Sequence, residues 1–235
     1  MKPFLESVGT EECRDKILHF QLHMLNNKKD FLPLFKKYVD EKKYTFSMSA
    51  EAAYEYCVLE YPFSFWQFHY IGCDAIPAAD ASKKDCMDHF VKAVSPFYFS
   101  DQGVATFLSF FYQAFTQIGY YGYDTTPFAD LLSAVQNPSY RFSAPQGVPL
   151  EYDATAMRDI DEWIRTQGNN MIFIYGEIDP WSASAVQLDG RTNALKMVRK
   201  GGDHRTRIAS FSDDEREKIL KTLEEWLEVS VKREW

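Results

Sequence analysis

Asp179 and His204 have the residue types and the spacing for shared proton-transfer chemistry. A carboxylate bonded to one imidazole nitrogen fixes the ring's tautomer and stabilises the imidazolium that forms when the other nitrogen takes a proton. Asp179 stands in the stretch IDPW, just beyond the apolar run MIFIY at 171–175, which is bounded by Asn169, Asn170 and Gly176. That run predicts a fully buried strand of a parallel sheet, and open α/β sheets gather functional groups at the carboxyl ends of their strands. His204 follows in KGGDH, behind a second, weaker strand predicted over 194–199. Glu177 is the alternative acid, nearer the strand but ahead of the turn. The competing reading of the pair is that Asp179 only caps a turn before Pro180 and that His204 is incidental.

An acid and then a histidine, each directly after a strand, is the order of the last two members of a Ser, Asp, His triad in the α/β-hydrolases. The segments YGEIDPWSA at 175–183 and GGDH at 201–204 are similar to the C-terminal part of the secreted serine tripeptidyl aminopeptidases, relatives of the prolyl carboxypeptidases. YQAFTQIGY at 112–120 resembles a segment of the same group's cap, with Gln117 where those relatives carry an acid. The resemblance runs from about Gly9 to Trp226. It implies an α/β-hydrolase fold with a helical cap, catalytic Asp179 and His204, a peptide substrate and a secreted or periplasmic setting. The family's nucleophile sits on a G-x-S-x-G turn, yet none of the eleven glycines lies in that pattern, and Ser182 and Ser184 follow the acid on its own loop. The chain therefore reads as a cap followed by the last piece of a catalytic domain, inactive alone and partnered by the nucleophile-bearing half.

The elements that would position the pair divide in character near 137–149, where three prolines and a glycine interrupt all periodicity. This predicts a helical cap over 1–136 and the C-terminal part of an α/β catalytic domain over 137–235. In the cap, Thr10 caps a helix with Cys13, Ile17, Phe20 and Met24 inside, and a shorter helix carries Phe31, Leu34, Phe35 and Tyr38, with Pro33 in its first turn. Ser47 or Ser49 caps the next, which leads into an aromatic run from Tyr61 to Tyr70. Ser82 opens another, and the longest helix is expected from Ser100, with an apolar stripe of Val104, Phe107, Leu108, Phe111, Phe115 and Ile118. In the second part, Asp153 caps a helix with Met157, Ile160, Trp163 and Ile164 inside, and Ser212 with Glu215 forms a capping box for a helix whose Ile219, Leu223, Trp226 and Leu227 face the sheet. The strand at 171–175 finds only one partner in the sequence, 194–199, so one of its edges is expected to be bare.

Glu55 and Glu60 interleave with the apolar surface of the cap and are candidates for holding a substrate's α-ammonium, since a partly desolvated carboxylate makes strong charge-assisted hydrogen bonds. The alternative is a solvated helix face. His19 and His23 have metal-ligand spacing but no third ligand, and the four cysteines show no C-x-x-C, so no metal or cofactor is expected. Cys73 and Cys86 are the pair that would bridge in an exported protein; otherwise all four are buried thiols. A net charge of −8 argues against nucleic acid or an anionic membrane as a partner. No membrane-spanning run or signal peptide is visible. Two other functions remain open from the sequence: a catalytically inactive cap that binds peptides or a partner, and an α/β-hydrolase of esterase type.

Overall fold

The computed structural model describes residues 2–69 and 72–233; Tyr70, the end of the aromatic run, lies outside them. The chain is mainly helical with a two-stranded parallel sheet. Its contacts divide it into two units, Met1–Phe65 with His69–Thr155, and Trp66–Phe68 with Ala156–Trp235.

The first unit holds α1 (Lys2–Ser7), α2 (Glu11–Asn26), α3 (Lys28–Glu41), most of α4 (Ala50–Phe68), α5 (Lys83–Ala93), α6 (Asp101–Thr106) and α7 (Leu108–Gln113). Thr10 caps α2 by accepting the Cys13 N–H, and Cys13, Ile17, Phe20 and Met24 are buried on one face. Helix α3 begins at Lys28, earlier than expected, so Pro33 lies beyond its first turn and Phe31, Phe35 and Val39 form the inward stripe. Ser49 caps α4, which has 19 residues and is buried continuously from Ala52 to Tyr61. A helix apolar on all sides belongs at the centre of its unit. This overturns the expectation that the longest helix starts at Ser100.

That segment is broken instead. Ser100 caps α6, which ends at Thr106, then come α7 and a π-turn at Ala114–Ile118 closed by Gly119 at φ +82°. The break puts the apolar stripe on more than one face: Phe111 is buried, whereas Phe107, Leu108 and Ile118 are exposed. Gly103 is required here, because a Cβ would stand 1.9 Å from the Phe97 carbonyl oxygen. The disulfide also differs from expectation. It joins Cys13 to Cys73, bringing the start of α2 to the turn after α4, while Cys86 faces inward on α5 and is buried and free, as is Cys57.

The second unit adds α8 (Thr155–Thr166, of which Thr155 is counted with the first unit), β1 (Met171–Gly176), β2 (Ala194–Arg199) and α9 (Asp213–Leu227). The strands pair in parallel with Ile172 opposite Leu195 and Ile174 opposite Met197. Those side chains pack on Phe211, Ile219, Ile208 and Leu223, so α9 covers one face of the sheet. The Ser212 and Glu215 capping box starts α9, but Leu227 is exposed rather than facing the sheet. Two further expectations fail in the same way. Asp153 accepts the Thr155 N–H at 2.8 Å ahead of helix α8 rather than at its cap position, and none of the helix's residues is buried, with Ile160 at 48% and Trp163 at 44% exposure. Strand β1 is only half-buried from Met171 to Tyr175, and among the described residues it pairs with β2 alone. Among the described residues no helix is long and apolar enough to cross a membrane.

Candidate active site

The carboxyl ends of β1 and β2 bring Asp179 and His204 together. Gly176 makes the approach possible, because a Cβ there would lie 2.4 Å from the backbone oxygens of Gly202 and Asp203. The Ile178 N–H donates to the Gly202 carbonyl at 3.0 Å and the Glu177 N–H to that of Arg199 at 3.0 Å, locking the acid loop to the histidine loop. Asp179 then serves two roles that the sequence presented as alternatives. Its Oδ1 accepts the Trp181 N–H at 3.1 Å and caps the turn Pro180–Ser184, and its Oδ2 lies 2.8 Å from His204 Nδ1. Glu177, the other acid considered, accepts the Gly201 N–H at 2.8 Å and so braces the turn ahead of the histidine.

Asp179 is 6% exposed, whereas the His204 side chain is 46% exposed. With Nδ1–H donated to the carboxylate, the ring presents Nε2 as a base. Among the described residues nothing hydrogen-bonds to Nε2. Phe68 stands edge-on to the imidazole at 6.1 Å and Trp181 is tilted beside it at 6.4 Å, giving one polar atom in an aromatic surround. The arrangement can take a proton from a nucleophile and return it to a leaving group. Ser184 donates to the Trp181 carbonyl, and among the described residues no serine hydroxyl bonds to His204.

Glu55 and Glu60 belong to the first unit and have different surroundings. Glu55 is fully buried and closed by internal partners: Lys28 Nζ forms an ion pair with Oε1, and the backbone N–H groups of Ser133, Ala134 and Val135 donate to its two oxygens at 2.8 to 3.0 Å. Burial alone would raise its pKa, but Lys28 and those amides bring it below the usual carboxylate value. Glu60, 5% exposed, accepts from the hydroxyls of Tyr121, Tyr123 and Tyr140 at 2.7 to 2.9 Å. Among the described residues no lysine or arginine pairs with it. Burial pushes its pKa up to about 7, against the opposing pull of those hydroxyls and that of Ser64. The tyrosine cage was not anticipated; the run YYGY at 120–123, in a chain with 14 tyrosines, is the signal that carries it. His19 and His23 line a cavity of about 230 Å³ with Lys16, Phe20 and the 76–79 stretch, and among the described residues no group of three metal-ligating side chains occurs.

The family model for PS-10 peptidase S37 matches residues 1–233. The prolyl tri/tetrapeptidyl aminopeptidase of Streptomyces mobaraensis is 32% identical over 237 residues, covering 97% of this chain and 49% of that protein. The chain thus spans about half the length of the curated relative it matches. No solved structure matches it. These matches agree with the tripeptidyl aminopeptidase resemblance carried by YGEIDPWSA and GGDH, and with the family model covering nearly every residue, the chain belongs to the PS-10 peptidase S37 family.

Proposed function

We propose that this chain carries the acid and the histidine of a serine peptidase that releases short peptides from free N-termini, with the nucleophilic serine supplied by sequence outside it. The observation that carries the reading is the 2.8 Å contact between Asp179 Oδ2 and His204 Nδ1, with an exposed ring behind it. In this mechanism His204 Nε2 takes the serine's proton and later gives it to the departing amine, while Asp179 stays ionised and holds the tautomer. The parallel pair with an open edge fits the C-terminal end of an α/β-hydrolase sheet whose remaining strands come from the other half of the protein. The first unit is then the helical cap, and the disulfide between Cys13 and Cys73 fits a protein that is exported.

Of the two acidic candidates, Glu60 is the one we assign to the substrate's ammonium. Glu55 already has its cation in Lys28, whereas Glu60 is a buried carboxylate met, among the described residues, by hydroxyl dipoles and no cation. A tripeptidyl chromogenic substrate, its N-acetylated form and a simple ester, each offered to this chain and to the complete protein, test the reading. This chain alone should give no serine-dependent turnover, while the complete protein should cleave the free peptide and be silenced by a serine-directed reagent. Glu60→Gln should lower kcat/KM for the free peptide by about a hundredfold and for the acetylated one by little. Turnover by this chain alone would sink the divided-site reading, and hydrolysis confined to the ester would sink the peptidase one.

A further inference from the structure

The loop carrying His204 is pinned to the carboxyl end of α4 by contacts that take no part in proton transfer. A helix leaves its last carbonyls without donors of its own. Here the Gln67 carbonyl accepts the His204 N–H at 2.9 Å, and the Phe68 carbonyl accepts from Arg205 Nη2 at 2.8 Å. The same guanidinium is forked onto Asp203, with Nε 3.0 Å from Oδ2 and Nη2 also on Oδ2, while Oδ1 accepts the Arg205 backbone N–H at 2.9 Å. Asp203 is itself buried, and its carbonyl takes the Thr206 N–H and hydroxyl at 3.0 and 2.7 Å. The residues on both sides of His204 therefore form one clamp, ending where aligned peptide dipoles favour a cation.

We propose that Arg205 is a positioning residue for His204: by joining the Asp203 carboxylate to the Phe68 carbonyl, it holds the loop where Nδ1 meets Asp179. The imidazole can turn about its own bonds; the bonds to Gly202 and Gly201 hold the loop before it, and the place of its Cα is then set by this clamp and by the Gln67 carbonyl. A drift of about 1 Å would carry the 2.8 Å contact beyond hydrogen-bond range. Arginine suits the task because its planar fork meets two acceptors at once, which a lysine's single ammonium does not. The guanidinium is half exposed, so its ion pair is screened and its contribution is geometric rather than energetic. Only the kinetic consequence rests on the peptidase reading above.

Nitrogen-15 resonance of the His204 ring, recorded on this chain where the ring is neutral, reads the tautomer directly. The unaltered chain should show mainly the Nδ1–H form. Arg205→Ala should shift it toward the mixed population of an unanchored imidazole, with Arg205→Lys in between. In the complete protein, Arg205→Ala should lower kcat about tenfold and move KM by less than about twofold, as misplacement of a reacting group does. An unchanged tautomer ratio in a folded Arg205→Ala chain overturns the proposal. Should that variant not fold, an unchanged ratio in Arg205→Lys overturns it equally. If the complete protein proves not to be a peptidase, the tautomer measurement still decides the matter.

Discussion

In the first unit α4 is enclosed over ten consecutive residues from Ala52 to Tyr61, and even the two carboxylates on that stretch are met by donors. In the second unit α9 covers one sheet face around Met197, Phe211 and Ile219, but α8 presents Ile160 and Trp163 to solvent and, among the described residues, one edge of β1 is unpaired. The contrast separates two uses of the same physics. Where burial is complete, a polar group survives only by being satisfied from within, so it reports on structure first. Where strand ends and loops are open, a carboxylate can hold an exposed imidazole and leave its far nitrogen available to another molecule. The exposed apolar side chains of α8 and the edge of β1 that lacks a partner among the described residues are what the proposed reading assigns to the rest of the catalytic domain.

The largest effect that tests this contrast lies at the open site. In the complete protein, His204→Ala should cost many orders of magnitude in kcat, and Asp179→Asn roughly 10⁴. On the proposed mechanism the two act as one unit, so the double variant should be little slower than His204→Ala alone. Multiplying losses would mean that Asp179 and His204 serve separate purposes and that the second unit's open end is not the seat of chemistry.

A smaller effect concerns packing. Amides in α4 should exchange with solvent at least about a hundredfold more slowly than those of α8 and the unpaired edge of β1, since opening costs least where few apolar groups are buried. Removing the disulfide by Cys13→Ala and Cys73→Ala should destabilise the first unit by about 4 kcal/mol, as the chain-entropy model gives for a closed loop of this length, without altering exchange in the second. Uniform protection over residues 150–230 in a monomer would erase the distinction between the two units.

How far these features could be read in advance follows the range of the interactions. The strands and caps were legible because their signals are local: the MIFIY run, Thr10 before an amphipathic stretch, and the Ser212 and Glu215 box each lie within one element. The pairing of Asp179 with His204 was legible because both follow directly on strands. Non-local closure was not. Which cysteine meets Cys13 depends on how α4 returns the chain, and the apolar faces of α8 and of 104–118 give the same periodicity whether or not something covers them. Glu55 and Glu60 look alike in sequence, five residues apart on one helix. They differ in what reaches them, namely Lys28 and backbone amides of 133–135 at one and tyrosine hydroxyls from 121–140 at the other.

That last difference gives the smallest and sharpest test, because the two acids should impose opposite pH dependences. The Glu60 pKa is raised to about 7 in the folded chain from an ordinary value of 4.5, so folding favours its protonated form. Its contribution to stability is complete below pH 4.5 and is lost as pH rises through about 7. At roughly 1.4 kcal/mol per pKa unit, the folded state should lose roughly 3 kcal/mol across that window. Glu55 has its pKa lowered, so its contribution is present above the ordinary carboxylate value and lost as pH falls through its folded value. Denaturant titrations from pH 3 to pH 9 should therefore show Glu60→Gln abolishing the decline toward neutral pH, and Glu55→Gln removing part of the acid-side loss while lowering stability above it. If Glu60 also receives the ammonium of a bound peptide, that cation should favour the ionised carboxylate, and a free-N-terminal peptide bound to the complete protein should flatten the decline where its acetylated form does not. A Glu60→Gln chain with the same pH slope as the unaltered one would show that the tyrosine cage holds an ordinary carboxylate, and the first unit would keep no acid of unusual charge state to set against the exposed histidine of the second.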